Sequence, residues 1–172
     1  MRKILFVTIG FLFILGMLAL LSLLLPSKIT ITKSVGVNAP TAEVHDYMSD
    51  LGNWPEWFLP MEDSSMNISY EDENSSVTIR DNKGKEMKLE KMPSATDTIN
   101  IALITPSATR VFYQVILIAQ NEYNTQIIFN VNTYFKWYPW EKVKGIFLDK
   151  MSGPMYQKSM YQLEKAIEAR TL

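Results

Sequence analysis

From Met66 to Trp137 the chain alternates apolar and polar residues with a period of two, in six runs separated by short polar turns, and that pattern most constrains its fold. The runs are "MNISYE", "SSVTIRD", "KEMKLEKM", "DTINIAL", "ATRVFYQVILIA" and "TQIIFNVNTYFKW". A period of two puts every second side chain on one face, so each run reads as a half-buried strand. The connections "DNKGK" and "NEYN" are rich in turn formers and too short for helical crossovers, so an antiparallel meander is expected. In the last run Ile127, Phe129, Val131 and Phe135 would face one way, with Gln126, Asn130 and Asn132 opposite.

One more strand precedes these. In "KITITKSVGV", Ile29, Ile31, Val35 and Val37 share a face. The segment "NAPTAEVHDYMSDL" then changes to helical spacing, with Val44, Tyr47, Met48 and Leu51 as an apolar stripe, ended by Gly52 and Asn53. Asn53 is placed to cap a short second helix with Pro55 in its first turn, and Trp54, Trp57 and Phe58 would share one side of it.

At the other end, Trp140 to Ala169 reads as a long helix. Val143, Phe147, Met151 and Met155 recur every four residues, followed by Tyr156, Met160, Leu163 and Ile167, with an interruption expected at Gly153 and Pro154.

Residues 4–25, "ILFVTIGFLFILGMLALLSLLL", carry no charge, and at ~1.5 Å per residue their helix would be long enough for a bilayer core of ~30 Å. The run exceeds the apolar core of a signal peptide and lacks a clean small-x-small site, so an uncleaved transmembrane signal anchor is expected rather than a cleaved peptide. Residues 1–3 would form a cytoplasmic flank through Arg2 and Lys3, and the domain over 28–170 would lie outside, periplasmic or extracytoplasmic. The chain has no cysteine, which rules out lipoprotein processing, a disulfide and a cysteine nucleophile together. Without Arg2 and Lys3 the 17 basic residues fall to 15 against 18 acidic ones, a formal charge of −3 and no basic field for nucleic acid.

This order of elements, with "VGVNAPTAEVHDYMSDLGNWPEWFLP" near the start and "DKMSGPMYQKSMYQLEKAIE" near the end, resembles the START-like, helix-grip superfamily, in particular its bacterial polyketide cyclase/dehydrase and lipid-transport (SRPBCC-type) branch. The resemblance implies an α+β fold in which a curved antiparallel sheet wraps a long C-terminal helix, enclosing an apolar cavity for a lipid or other hydrophobic small molecule. It implies Trp57, Phe58, Tyr113, Phe129, Phe147, Met151 and Met155 as ligand-contacting candidates, with no metal and no cofactor. Large aromatics more often build cores, so Trp54 and Trp57 are expected mainly to pack, with Trp57, Phe58 or Leu59 at a pocket mouth as the functional reading. Methionine stripes divide in the same way between core and adaptable binding wall.

Catalytic signals are few. His45 is the single histidine, no "GxSxG" elbow or phosphate-cradling glycine loop occurs, and Glu62, Asp63, Glu71, Asp72 and Glu73 read as solvated loop charges. Arg80 and Arg110 would meet an anionic headgroup only if they pointed inward. The cluster "YFKWYPWEK" suits either a lipid interface or packing between the last strand and the last helix. The expectation is therefore a membrane-anchored, non-catalytic binder of a hydrophobic small molecule. The alternatives are a protein-interaction module of the cell envelope with a vestigial cavity and, more weakly, a cyclase-like or hydrolytic enzyme.

Overall fold

The computed structural model describes residues 2–62, 66–71, 73–106 and 110–171; the side chains of 2–5, 21–22 and 171 lie outside the description. Asp63 and Asp72 of the acidic loops therefore lie outside the described residues. A helix α1 (Arg2–Leu24) leads into β1 (Lys28–Val37), then α2 (Thr41–Ser49) and two 3-10 turns, Leu51–Glu56 and Leu59–Met61. Strands β2 (Asn67–Glu71), β3 (Ser76–Arg80), β4 (Glu86–Met92), β5 (Thr98–Ile104), β6 (Arg110–Ala119) and β7 (Thr125–Tyr134) follow, and α3 (Pro139–Thr171) ends the chain.

The strands form one antiparallel sheet in the order β1-β7-β6-β5-β4-β3-β2. The meander runs outward from β7, and β1, separated from it by almost the whole domain, closes the other flank. Its register sets Ile31 opposite Val131 and Val35 opposite Ile127, while Tyr113 of β6 faces Val131 from the far side. Pleating then divides the sheet. Ile99, Ile101, Tyr113, Val115, Leu117, Ile127, Phe129 and Val131 are buried on the concave face. The convex face carries a polar ladder, in which Thr30 donates to Asn132 Oδ1 and Thr32 to Asn130 Oδ1, both at 2.8 Å.

At the corner between β1 and α2, Thr125 Oγ1 donates to the Ala39 carbonyl at 2.8 Å. A hydroxyl has one proton, so in the 3.0 Å contact between Thr41 Oγ1 and Thr125 Oγ1 it is Thr41 that donates. The buried Thr125 and the half-buried Thr41 thus tie the start of α2 to the start of β7.

The tryptophan segment completes α2. The last carbonyls of a helix lack intrahelical partners. Here Asn53 Nδ2 donates to the Tyr47 carbonyl and Trp54 Nε1 to the Met48 carbonyl, each at 3.0 Å. Asn53 is therefore a C-terminal partner of α2 and not the N-cap expected of it. That cap is Asp50, whose Oδ1 accepts from the Gly52 N–H at 2.8 Å.

Two features of α3 differ from expectation. Pro154 does not break it; the helix runs unbroken from Pro139 to Thr171. The series Val143, Phe147, Met151, Met155 also does not form its inner face. Steps of four residues advance about 40° beyond a full turn, so such a series winds off any one side. The inward positions mix threes and fours: Gly145, Leu148, Ser152, Tyr156, Met160, Leu163 and Ile167. Gly145 marks the close approach to the sheet, since a Cβ there would lie 2.8 Å from both Ile29 Cδ1 and Phe135 Cε2. Phe147 and Met151 consequently point outward, 53% and 77% exposed.

The expected transmembrane anchor over 4–25 requires correction. Among the described residues, no helix is long and apolar enough to cross a membrane. The single-pass topology and the membrane localisation drawn from that span lose their support with it. The end of α1 is tied to the domain by Lys142, a buried residue of α3 whose Nζ donates to the Leu25 carbonyl at 3.0 Å.

Candidate functional site

The concave side of the sheet is divided in two. Toward α2 it is filled by aromatic rings: Trp54 and Trp57 lie 4.9 Å apart between centroids, Trp54 and Phe58 5.0 Å, Phe58 and Tyr113 5.3 Å, and Tyr113 and Phe129 stack at 5.6 Å. Mixed edge and offset contacts of this kind favour the rings beyond their buried area. Trp57 and Phe58 are each 1% exposed and stand in this packed end, not at a mouth. Leu59 is fixed by its N–H, which donates to Ser159 Oγ at 3.1 Å.

Toward the first half of α3 the filling stops. A cavity of about 300 Å³ lies there, lined by β5, β6 and β7 on one side and by Lys144, Leu148 and Tyr156 of α3 on the other. Its walls are chiefly Leu103, Val111, Val131, Phe135 and Leu148, with hydroxyls from Tyr113, Tyr156, Thr105 and Thr133. The cavity exists because α3 presents Gly145 and then Leu148 to this part of the sheet, while the larger Phe147 and Met151 turn away.

Two phenols mark its inner end. Tyr113 and Tyr156 are buried, their rings 6.4 Å apart and inclined at 67° in an edge contact. Burial raises the pKa of both; the neighbouring Tyr156 raises Tyr113 further, while Tyr113 partly offsets the rise at Tyr156. Tyr47, buried beneath Arg170 and hydrogen-bonded to Glu56 Oε2 at 2.9 Å, is likewise raised, first by burial and then by Glu56.

These shifts have a sign. A phenol whose pKa is higher folded than unfolded stabilises the fold fully below the unfolded value of about 10 and loses that contribution as pH rises toward the folded value. Tyr113, Tyr156 and Tyr47 should therefore stay protonated until the protein unfolds in alkali. An absorbance titration should show their phenolate signal appearing together with the loss of circular dichroism. Ionisation of all eight tyrosines near pH 10 in a folded protein would contradict it.

Of the seven residues proposed from sequence, Tyr113 lines the cavity; Trp57, Phe58 and Phe129 form the packed wall beside it; Met155 is half-buried against the core; Phe147 and Met151 face outward. Sequence reasoning missed Tyr156 and Lys144, although Tyr156 stood in the buried stripe of the last helix. Arg80 pairs with Glu86 at 2.9 Å on the surface, Arg110 is exposed, and Asn130 belongs to the convex ladder, so none of them enters the cavity. His45 has Asp46 3.6 Å away, on the surface of α2. Trp137 and Trp140 are exposed, so the packing reading of "YFKWYPWEK" holds for the half-buried Phe135.

A larger apolar groove, about 660 Å³, lies between α1 and Trp137. Among the described residues its lining is aliphatic and aromatic, with the Trp137 indole as its polar-bearing side chain. The smaller cavity combines apolar walls with converging hydroxyls, as ligand sites do, and is the candidate site.

No known protein family and no curated protein matches the chain by sequence. Among solved structures it is similar to the ZhuI aromatase/cyclase of a Streptomyces species, at 12% identity and TM-score 0.62, over 84% of this chain and 96% of that one. A norcoclaurine synthase from Thalictrum flavum matches at 12% identity and TM-score 0.62, over 84% and 97%. A START superfamily protein from Mycobacterium smegmatis matches at 15% identity and TM-score 0.61, over 81% and 97%. With a seven-stranded antiparallel sheet closed by a long C-terminal helix, the chain has the START-like, helix-grip fold.

Proposed function

We propose that the protein binds a small hydrophobic molecule in the cavity between β5–β7 and α3 and performs no chemistry on it. The observation that carries this reading is a cavity between the sheet and α3, beside the aromatic cluster, with apolar walls and the Tyr113–Tyr156 pair at its inner end. A concave, mostly apolar lining with a few converging polar groups is the usual form of a small-molecule site. A volume of about 300 Å³ is at the low end for ligand sites and suits a compact molecule better than a two-chain lipid.

The enzyme reading draws on the aromatase/cyclase and the norcoclaurine synthase among the structural neighbours. A likeness of 12% identity carries a scaffold and not its chemistry. Binding is tested by titrating the full chain with the uncharged dye Nile red. Saturable uptake, with emission shifted to that of an apolar solvent, supports the reading; no uptake, or uptake unaffected by changes to the cavity walls, refutes it.

A further inference from the structure

The cations around the first half of α3 are not equivalent. Lys33 pairs with Asp149 at 3.6 Å, Lys142 donates to the Leu25 carbonyl, Lys28 lies over the Tyr134 ring and Lys136 over the Tyr138 ring. Lys144 has no carboxylate within ion-pair distance among the described residues, and it is the charged residue that lines the cavity. It is exposed, whereas Tyr113, Val131, Thr133 and Tyr156 of the same lining are buried, so it stands at the cavity's mouth.

The cavity is thus polarised along its depth. Its inner end offers the Tyr113 and Tyr156 hydroxyls, its walls are aliphatic and aromatic, and its entrance holds a positive charge. An ammonium on a four-carbon stem is suited to this place: the stem covers apolar wall while the charge stays in water. A ligand with an anion at its outer end keeps that anion partly hydrated and pairs it with Lys144, avoiding the cost of burying a charge. A ligand with its anion innermost would meet the Tyr113 and Tyr156 hydroxyls and, among the described residues, no cation.

We infer that the cavity selects a compact apolar molecule bearing one terminal anionic group, a carboxylate or a phosphate, with Lys144 as its counter-ion at the mouth. This inference rests on the binding reading above and deepens it. The pairing is near solvent, so its effect is a preference and not the whole affinity, and it should weaken as salt rises.

The test compares octanol, octanoate and octyl phosphate as competitors of bound Nile red on the full chain, at low and high salt. Wild-type protein should prefer an anionic octyl compound to octanol by about tenfold. Lys144→Met should abolish that preference, read as the ratio of anion to octanol competition within each variant, and Lys144→Arg should keep it. Tighter octanoate assigns a free carboxylic acid and tighter octyl phosphate a phosphorylated ligand; either supports the inference. Octanol competing as well as both anions, or a preference that survives Lys144→Met, overturns it and leaves the binding reading standing. A chain that takes up no Nile red overturns both.

Discussion

Replacing Trp54 with alanine should lower stability by about 3–5 kcal/mol, the range for deleting a large buried aromatic. For a chain of this size that is a fall in melting temperature of about 10 °C or more. Trp54 is fully buried, touches Trp57 and Phe58, and carries a second function in its N–H to the Met48 carbonyl. The phenylalanine variants separate the two. Trp54→Phe loses ring volume and leaves the α2 carbonyl without that donor. Trp57→Phe loses the same volume, but Trp57 Nε1 is buried with no acceptor among the described residues, so removing it costs no hydrogen bond. Urea unfolding should place Trp54→Phe below Trp57→Phe by about 1–3 kcal/mol. Equal stabilities, or the reverse order, would mean that the Trp54 N–H does not hold the end of α2.

The second large effect concerns the cavity. Leu148→Trp adds an indole to a half-buried helix position on the cavity wall, where space exists to receive it. Uptake of Nile red should fall by about tenfold or more, while stability changes little or rises, because the added ring gains contacts without displacing packed atoms. A substitution on the outward face, Met151→Gln, should leave uptake unchanged, since Met151 is 77% exposed and lines no part of the cavity. Loss of uptake in Met151→Gln with retention in Leu148→Trp would move the site to the outer face of α3.

The contrast between these two helix positions shows what could be read from sequence and what could not. Strand alternation was legible because a period of two admits one inner face, and Ile127, Phe129 and Val131 lie where that face requires. The stripe Val44, Tyr47, Met48, Leu51 was legible because α2 is short and its angular drift small. On α3 the drift accumulates. Val143, Phe147 and Met151 looked like the start of the inner stripe, yet the contact with β1 is made through Gly145, whose lack of a side chain no hydropathy pattern weights. Lys144 was passed over for the same reason, since its importance depends on which side of α3 meets the cavity. Trp54 was read as core; its capping of α2 depends on a carbonyl six residues earlier, which only the turn geometry brings into reach.

The most direct test of the account is native mass spectrometry of the full chain purified from its own source, followed by extraction and identification of what leaves with it. A reproducible compact species at one per chain, absent from Leu148→Trp and retained by Met151→Gln, is the predicted result. A wild-type chain that emerges without any such species and takes up no Nile red would contradict the account. The cavity beneath α3 would then be a packing defect of the fold and not a binding site.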